Sequence, residues 1–118
     1  MKREVMEKWV AALRSGEYKQ GRTQLKWGDT YCCLGVLCEI SGKDYDDYAD
    51  NITEEVRRWA GMNSRDGELP KDYKTKTDKG HFKYTRFLWR LNDVTNSKGK
   101  SWSFKQIANI IEKNWEQL

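Results

Sequence analysis

The chain is 118 residues long with a net charge of +4; 34% of its residues are charged and only 37% are hydrophobic. That length suits a single domain, with room for one core and not for two. No stretch approaches the roughly 20 apolar residues that cross a bilayer, and the charged N-terminus has no apolar run of the kind a secretory signal needs.

The composition therefore predicts a soluble, cytosolic domain. Its core must rest on few but large side chains. Six Trp, six Tyr and three Phe are available, and each aromatic buries roughly 150–250 Å². Fifteen is generous for so polar a chain, so some are expected at the surface, available for contact.

In chain order, the first predicted helix carries Val5, Met6, Trp9, Val10, Ala12 and Leu13 at helical spacing and stops at Ser15-Gly16. Between Glu17 and Tyr31, Gly28-Asp29 reads as the turn of a short hairpin. Cys32 to Ile40 is almost continuously apolar, and periodicity alone does not separate a buried strand from a buried helix there. Gly42 just beyond favours a helix with a glycine stop. Gly35 inside it costs roughly 1 kcal/mol relative to Ala, unless another backbone packs closely at that point.

Thr53 is the expected N-cap of a short helix to Ala60, with Glu54 and Glu55 at its start, Arg57 and Arg58 at its end, and Gly61 beyond. Residues 62–81 are polar, broken by Gly67, Pro70 and Gly80, and read as a long loop. Tyr84, Phe87, Leu88, Leu91 and Val94 mark a further helix, and Ser103-Phe104-Lys105-Gln106 opens the last one with a capping box. The expected fold is α+β and mainly α: about five helices and one short β-hairpin in one domain spanning 1–118.

Charge is unevenly spread. Residues 43–61 hold three basic and six acidic side chains, a net of −3, whereas residues 62–105 hold eleven basic and five acidic, a net of +6. Such asymmetry suits an anionic ligand or complementary self-association, although a solvated surface of mixed charge is the commoner meaning of any one patch.

Catalytic signatures are sparse. Cys32, Cys33 and Cys38 lack the paired spacing and partner ligands of a zinc site, and three crowded cysteines do not form a secreted disulfide framework. Their apolar setting predicts packing. His81, the single histidine, lies in the polar stretch, far in sequence from any thiol. No metal, cofactor or catalytic residue is implied. The run Ser103-Phe104-x-x-Ile107-Ala108 resembles the opening helix of a helix-turn-helix module, but no recognition helix follows it, which makes duplex DNA an unfavoured partner.

Two stretches combine stacking surfaces with cations and amides. Tyr18, Gln20, Arg22, Lys26 and Trp27 form one, and Arg86 with Trp102 belongs to the other. Aromatic faces stack on nucleobases for roughly 1–3 kcal/mol each, and Arg and Lys make charge-assisted bonds to phosphate. These seven are the candidate ligand-binding residues, provided that the segments around 18–31 and 91–104 meet in space or across an interface. Two other readings come from the residues: a protein-binding inhibitor of an enzyme that uses Asp44–Asp50 with Tyr45 and Tyr48 as anchors, and a small DNA-binding accessory protein, whose duplex binding would fall steeply with salt.

Three segments also resemble a widespread family of small bacteriophage proteins: Leu13-Arg14-Ser15-Gly16-Glu17-Tyr18-Lys19-Gln20-Gly21-Arg22, Gly28-Asp29-Thr30-Tyr31-Cys32-Cys33-Leu34-Gly35-Val36-Leu37-Cys38, and Leu91-Asn92-Asp93 leading to Ser103–Glu112. The Glu54–Gly61 helix is similar as well. The resemblance implies an immune-evasion protein like the anti-CBASS sponges, which hold a cyclic dinucleotide such as cyclic GMP–AMP without cleaving it. It further implies a homo-oligomer, dimer or tetramer, in the cytoplasm of an infected bacterium.

Overall fold

The computed structural model describes residues 1–118. Helix α1 (Arg3–Ser15) buries Val5, Met6, Trp9, Val10 and Leu13 on one face. It packs most extensively on the C-terminal helix α5 (Phe104–Asn114), so the two ends of the chain form one wall of the core. A single 3₁₀ turn, Trp115–Gln117, follows α5 and leads to the buried Leu118.

The expected hairpin is present as β2 (Lys26–Trp27) and β3 (Thr30–Tyr31), paired antiparallel around Gly28. Gly28 takes the left-handed backbone, φ 59°, that such a turn requires. A third short strand, β1 (Lys19–Gln20), joins β3 in parallel.

The apolar run is helical: α2 spans Cys33–Ser41, with Gly42 in the left-handed conformation closing it. Cys32 is its N-cap, accepting the Gly35 N–H on its sulfur at 3.3 Å. Gly35 owes its place to a close backbone. A Cβ built there would lie 1.8 Å from the Leu25 carbonyl oxygen. The same carbonyl accepts the Cys32 N–H at 3.1 Å, which locks the hairpin approach onto the start of α2. Trp9, fully buried, donates its indole N–H to the Cys33 carbonyl at 2.9 Å and ties α1 to the same point.

Helix α3 (Glu54–Ala60) is capped by Thr53 and ends at Gly61, as the sequence predicts. The next stretch differs from expectation. Residues 62–81 are not one loop, because Glu68–Lys74 forms strand β4 and pairs antiparallel with β5 (Tyr84–Phe87). Pro70 is tolerated because the ladder is irregular between Glu68 and Tyr73.

The helix expected from Tyr84 to Val94 is likewise shorter: α4 covers only Leu88–Asp93. Tyr84 shares the helical spacing by coincidence; it is a strand residue that faces solvent. Ser103 and Gln106 form the capping box of α5 in both directions.

Twenty-five buried apolar residues make one core, all three cysteines among them as free thiols. The fold is thus a single α+β domain of five helices and two small sheets. No helix is long and apolar enough to cross a membrane.

Gly35→Ala is expected to cost about 3 kcal/mol or more, because the added methyl meets a backbone carbonyl that cannot rotate away. Urea unfolding should show this loss, with Gly16→Ala, where a Cβ meets nothing within 4 Å, costing only about 1 kcal/mol for its left-handed backbone.

Candidate functional site

The two candidate segments meet at Asn92, which is fully buried in α4. Its amide nitrogen donates to the Gly21 carbonyl at 2.9 Å and to an Asp93 carboxylate oxygen at 2.8 Å. Its oxygen accepts from the Gln20 amide at 2.9 Å, and the same Gln20 nitrogen donates to the Trp102 carbonyl at 2.9 Å. Arg22 reaches the Ser101 hydroxyl at 3.0 Å through one guanidinium nitrogen. Burial raises the Asp93 carboxyl above its ordinary range, while bonds from Asn92 and the Thr23 backbone and the charge of Arg22 pull it back. Thr23 is the one non-glycine residue at positive φ, 74°, a conformation that costs of order 1–3 kcal/mol. The Asp93 bond offsets part of that.

This polar knot fixes the link between α4 and α5, and hence Trp102. The Trp102 indole N–H donates to the Lys74 carbonyl of β4 at 2.9 Å. One residue earlier, the Tyr73 hydroxyl accepts from the buried Asn114 amide of α5 at 2.9 Å. Between β4 and α5 the two rings wall a cleft of about 420 Å³, lined also by Gln106, Asn109, Ile110, Lys113 and Glu112, the last paired with Arg14. The Lys76 ammonium sits 4.6 Å from the centre of the Trp102 ring, and that of Lys71 5.4 Å from the centre of Tyr73. None of Lys71, Lys76 and Lys113 forms an ion pair.

A larger concavity of about 750 Å³ lies between α1 and α5, over Met6, Val10 and Trp115. Both cations on its rim are already paired, Arg3 with Glu7 and Arg14 with Glu112, both at 3.1 Å, and Glu116 adds an unpaired carboxylate. With no free cation, it is the weaker candidate for an anion.

The seven candidate residues fall in four places. Trp102 lines the cleft, with Gln20 and Arg22 behind it in the Asn92 knot. Tyr18 and Lys26 gather around Tyr31: Tyr18 meets that ring edge-on with centroids 5.3 Å apart, and the Lys26 ammonium lies 5.2 Å from its centre. Trp27 projects from the β2–β3 hairpin and meets Tyr48 at 6.0 Å. Arg86 is on β5, paired with Asp72 of β4 at 3.3 Å.

Sequence reasoning missed Tyr73, Lys71, Lys76, Gln106, Asn109 and Lys113. For the first three the sequence offers only a weak alternation of Leu69, Tyr73 and Thr75, broken by Pro70 and by Lys71 in the same phase, and reading 62–81 as a loop passes over it.

The thiols are set for packing. Burial raises Cys32 and Cys38 from 9.0 to about 12 and Cys33 well above 9.0. His81 is exposed between β4 and β5, and no three His, Cys, Asp or Glu side chains are grouped to hold a metal ion.

The chain belongs to the family DUF8296, a domain of unknown function, whose family model matches residues 1–115. No curated protein and no solved structure matches it.

Two outcomes are expected from this geometry. Asn92→Ala leaves the Gly21 carbonyl and the Gln20 amide short of partners and should cost about 2–4 kcal/mol in urea unfolding. For the thiols, the unfolded chain releases protons from about pH 9 while the folded chain holds them to about 12. Stability should therefore be unaffected by them below pH 9 and fall as pH rises from there. A urea midpoint lower at about pH 10.5 than at about pH 8 is the expected result.

Proposed function

We propose that this DUF8296 protein binds a cyclic dinucleotide in the cleft between β4 and α5 and holds it without cleaving it. The observation that carries the reading is one cavity walled by two fixed rings, Tyr73 and Trp102, and lined by the unpaired Lys113, with the unpaired Lys71 and Lys76 lying against those rings; the one carboxylate in its lining, Glu112, is held by Arg14. A cyclic dinucleotide offers two flat bases and two phosphates, which match two ring faces and several cations. Gln106 and Asn109 bring amide groups to the cleft for the base edges.

The energetics favour exchange. An exposed ammonium on a ring face contributes about 0.5–1 kcal/mol. A stacked base contributes roughly 1–3 kcal/mol, and a displaced lysine gains a charge-assisted bond to phosphate. The aromatic side chains hold their geometry before the ligand arrives, since each is hydrogen-bonded across the cleft, so little ordering opposes binding.

In this reading Gln20 and Arg22 position Trp102, and Arg86 is a further phosphate contact once it leaves Asp72. Tyr18, Lys26 and Trp27 lie on the β2–β3 side and serve the ligand only across an interface between copies. The resemblance to phage sponges supports the biological setting: a phage protein in the host cytoplasm that withdraws the signal of CBASS defence. Sequestration requires tight binding and no turnover.

Isothermal titration with a panel of cyclic di- and trinucleotides tests this, followed by heating and chromatography of the released ligand. One member should bind tightly and emerge intact. Trp102→Ala and Tyr73→Ala should each weaken it by the worth of one stacked base, roughly 5- to 150-fold. Binding to none of the panel, or recovery of a cleaved product, rejects the reading.

A further inference from the structure

The chain exposes four large aromatic side chains, and they divide two and two. Trp27 and Tyr48, 62% and 67% exposed, touch each other on one face. Phe82 and Tyr84, 48% and 61% exposed, stand on the β4–β5 hairpin.

The two faces differ in charge. Residues 43–50 around Tyr48 hold four aspartates against Lys43, a net of −3. Residues 68–87 of the hairpin hold six basic side chains against three acidic, a net of +3. Asp44, Asp46, Asp47 and Asp50 form no ion pair, and neither do Lys74, Lys79 and Lys83. Each face is therefore both apolar at its centre and electrically unsatisfied.

Both are also held in shape. The acidic segment is pinned to the first hairpin by bonds from Leu25 N–H to the Ala49 carbonyl and from Lys26 N–H to the Asp47 carbonyl, both 2.9 Å. On the other face the Arg90 guanidinium lies 4.8 Å from the centre of the Phe82 ring and 4.9 Å from that of Trp89. Arg90 makes no ion pair, and its Nε has no hydrogen-bond partner. No ion pair, ring contact or cation–ring contact joins the acidic face to the basic hairpin within the chain. One copy cannot satisfy itself.

We infer that the acidic Trp27–Tyr48 face of one copy receives the basic Phe82–Tyr84 hairpin of another, so that the protein assembles head to tail. Opposite charge guides the approach and sets the register, while the four rings supply the desolvated centre where binding energy concentrates. Because the two faces are different patches, the contact is heterologous; copies add until a ring closes or a filament extends. Trp27 and the hairpin cations Lys71, Lys76 and Arg86 also figure in the proposed nucleotide site, but the inference does not rest on that site, and its failure would leave the cleft walls Tyr73 and Trp102 as they are.

Light-scattering mass on the full chain at about 0.05 M and about 0.5 M salt reads it directly, the higher salt shortening the range of charge attraction about threefold. At low salt the mass should be a multiple of 14.0 kDa and fall toward 14.0 kDa at high salt. Trp27→Ala/Tyr48→Ala and Phe82→Ala/Tyr84→Ala should each give the mass of a monomer with unchanged circular dichroism, since all four side chains are exposed. An equal mixture of the two variants should form a species of twice that mass and no larger, since one sound pair of faces remains between them. A wild-type chain that stays at 14.0 kDa in low salt overturns the inference. So does an oligomer that survives both variants. If that monomer binds a labelled single-stranded oligonucleotide and Phe82→Ala/Tyr84→Ala does not, the hairpin belongs to nucleic acid instead.

Discussion

The arrangement depends on one buried amide. Asn92 lies at zero exposure and spends both its donors and its acceptor on Gly21, Asp93 and Gln20. A buried amide without partners costs several kcal/mol, so the chain segment before the first hairpin has to run where it does. Gln20 then passes the constraint to the Trp102 carbonyl. Two segments some 80 positions apart are thereby held in one register, and the wall of the cleft is set from behind.

The second constraint is steric. The Leu25 carbonyl sits where a side chain of residue 35 would go, and it bonds the N–H of Cys32. Glycine at 35 lets the hairpin press against α2, and the cysteines around it fill the space as small apolar groups whose burial suppresses ionisation. Core and cleft thus divide the labour. The thiols and Trp9 hold the centre, while rings, amides and lysines are left at the β4–α5 border.

The helices were legible because their ends are signed. Thr53 and Ser103 accept their own N-terminal N–H groups, and Gly16, Gly42 and Gly61 close with left-handed backbone. Gly35 also announced a close backbone neighbour, which proved to be Leu25. The second sheet was not legible. Of β4 only Leu69 is buried, amid charges and a proline, and a two-stranded sheet with a solvated face leaves little alternation to read. Tyr84, Phe87, Leu88 and Leu91 fit a helix by spacing alone, although a strand ends and a helix begins between Phe87 and Leu88. At the site, Trp102 could be singled out as an aromatic in a basic region. No local pattern reveals that Gln20 is bonded inward while Lys71 and Lys76 cover rings, because those roles come from contacts between distant segments.

Indole N–H resonances offer the most direct measurement of the cleft. The chain has six tryptophans, and two of their indoles have known partners: Trp102 donates to Lys74 at the cleft, and Trp9 donates to Cys33 in the core. In a nitrogen–proton correlation spectrum titrated with the tightest-binding cyclic dinucleotide, the Trp102 signal should shift to saturation while that of Trp9 stays fixed. A titration that moves Trp27 and leaves Trp102 unmoved would contradict the account and place the ligand on the other side of the molecule.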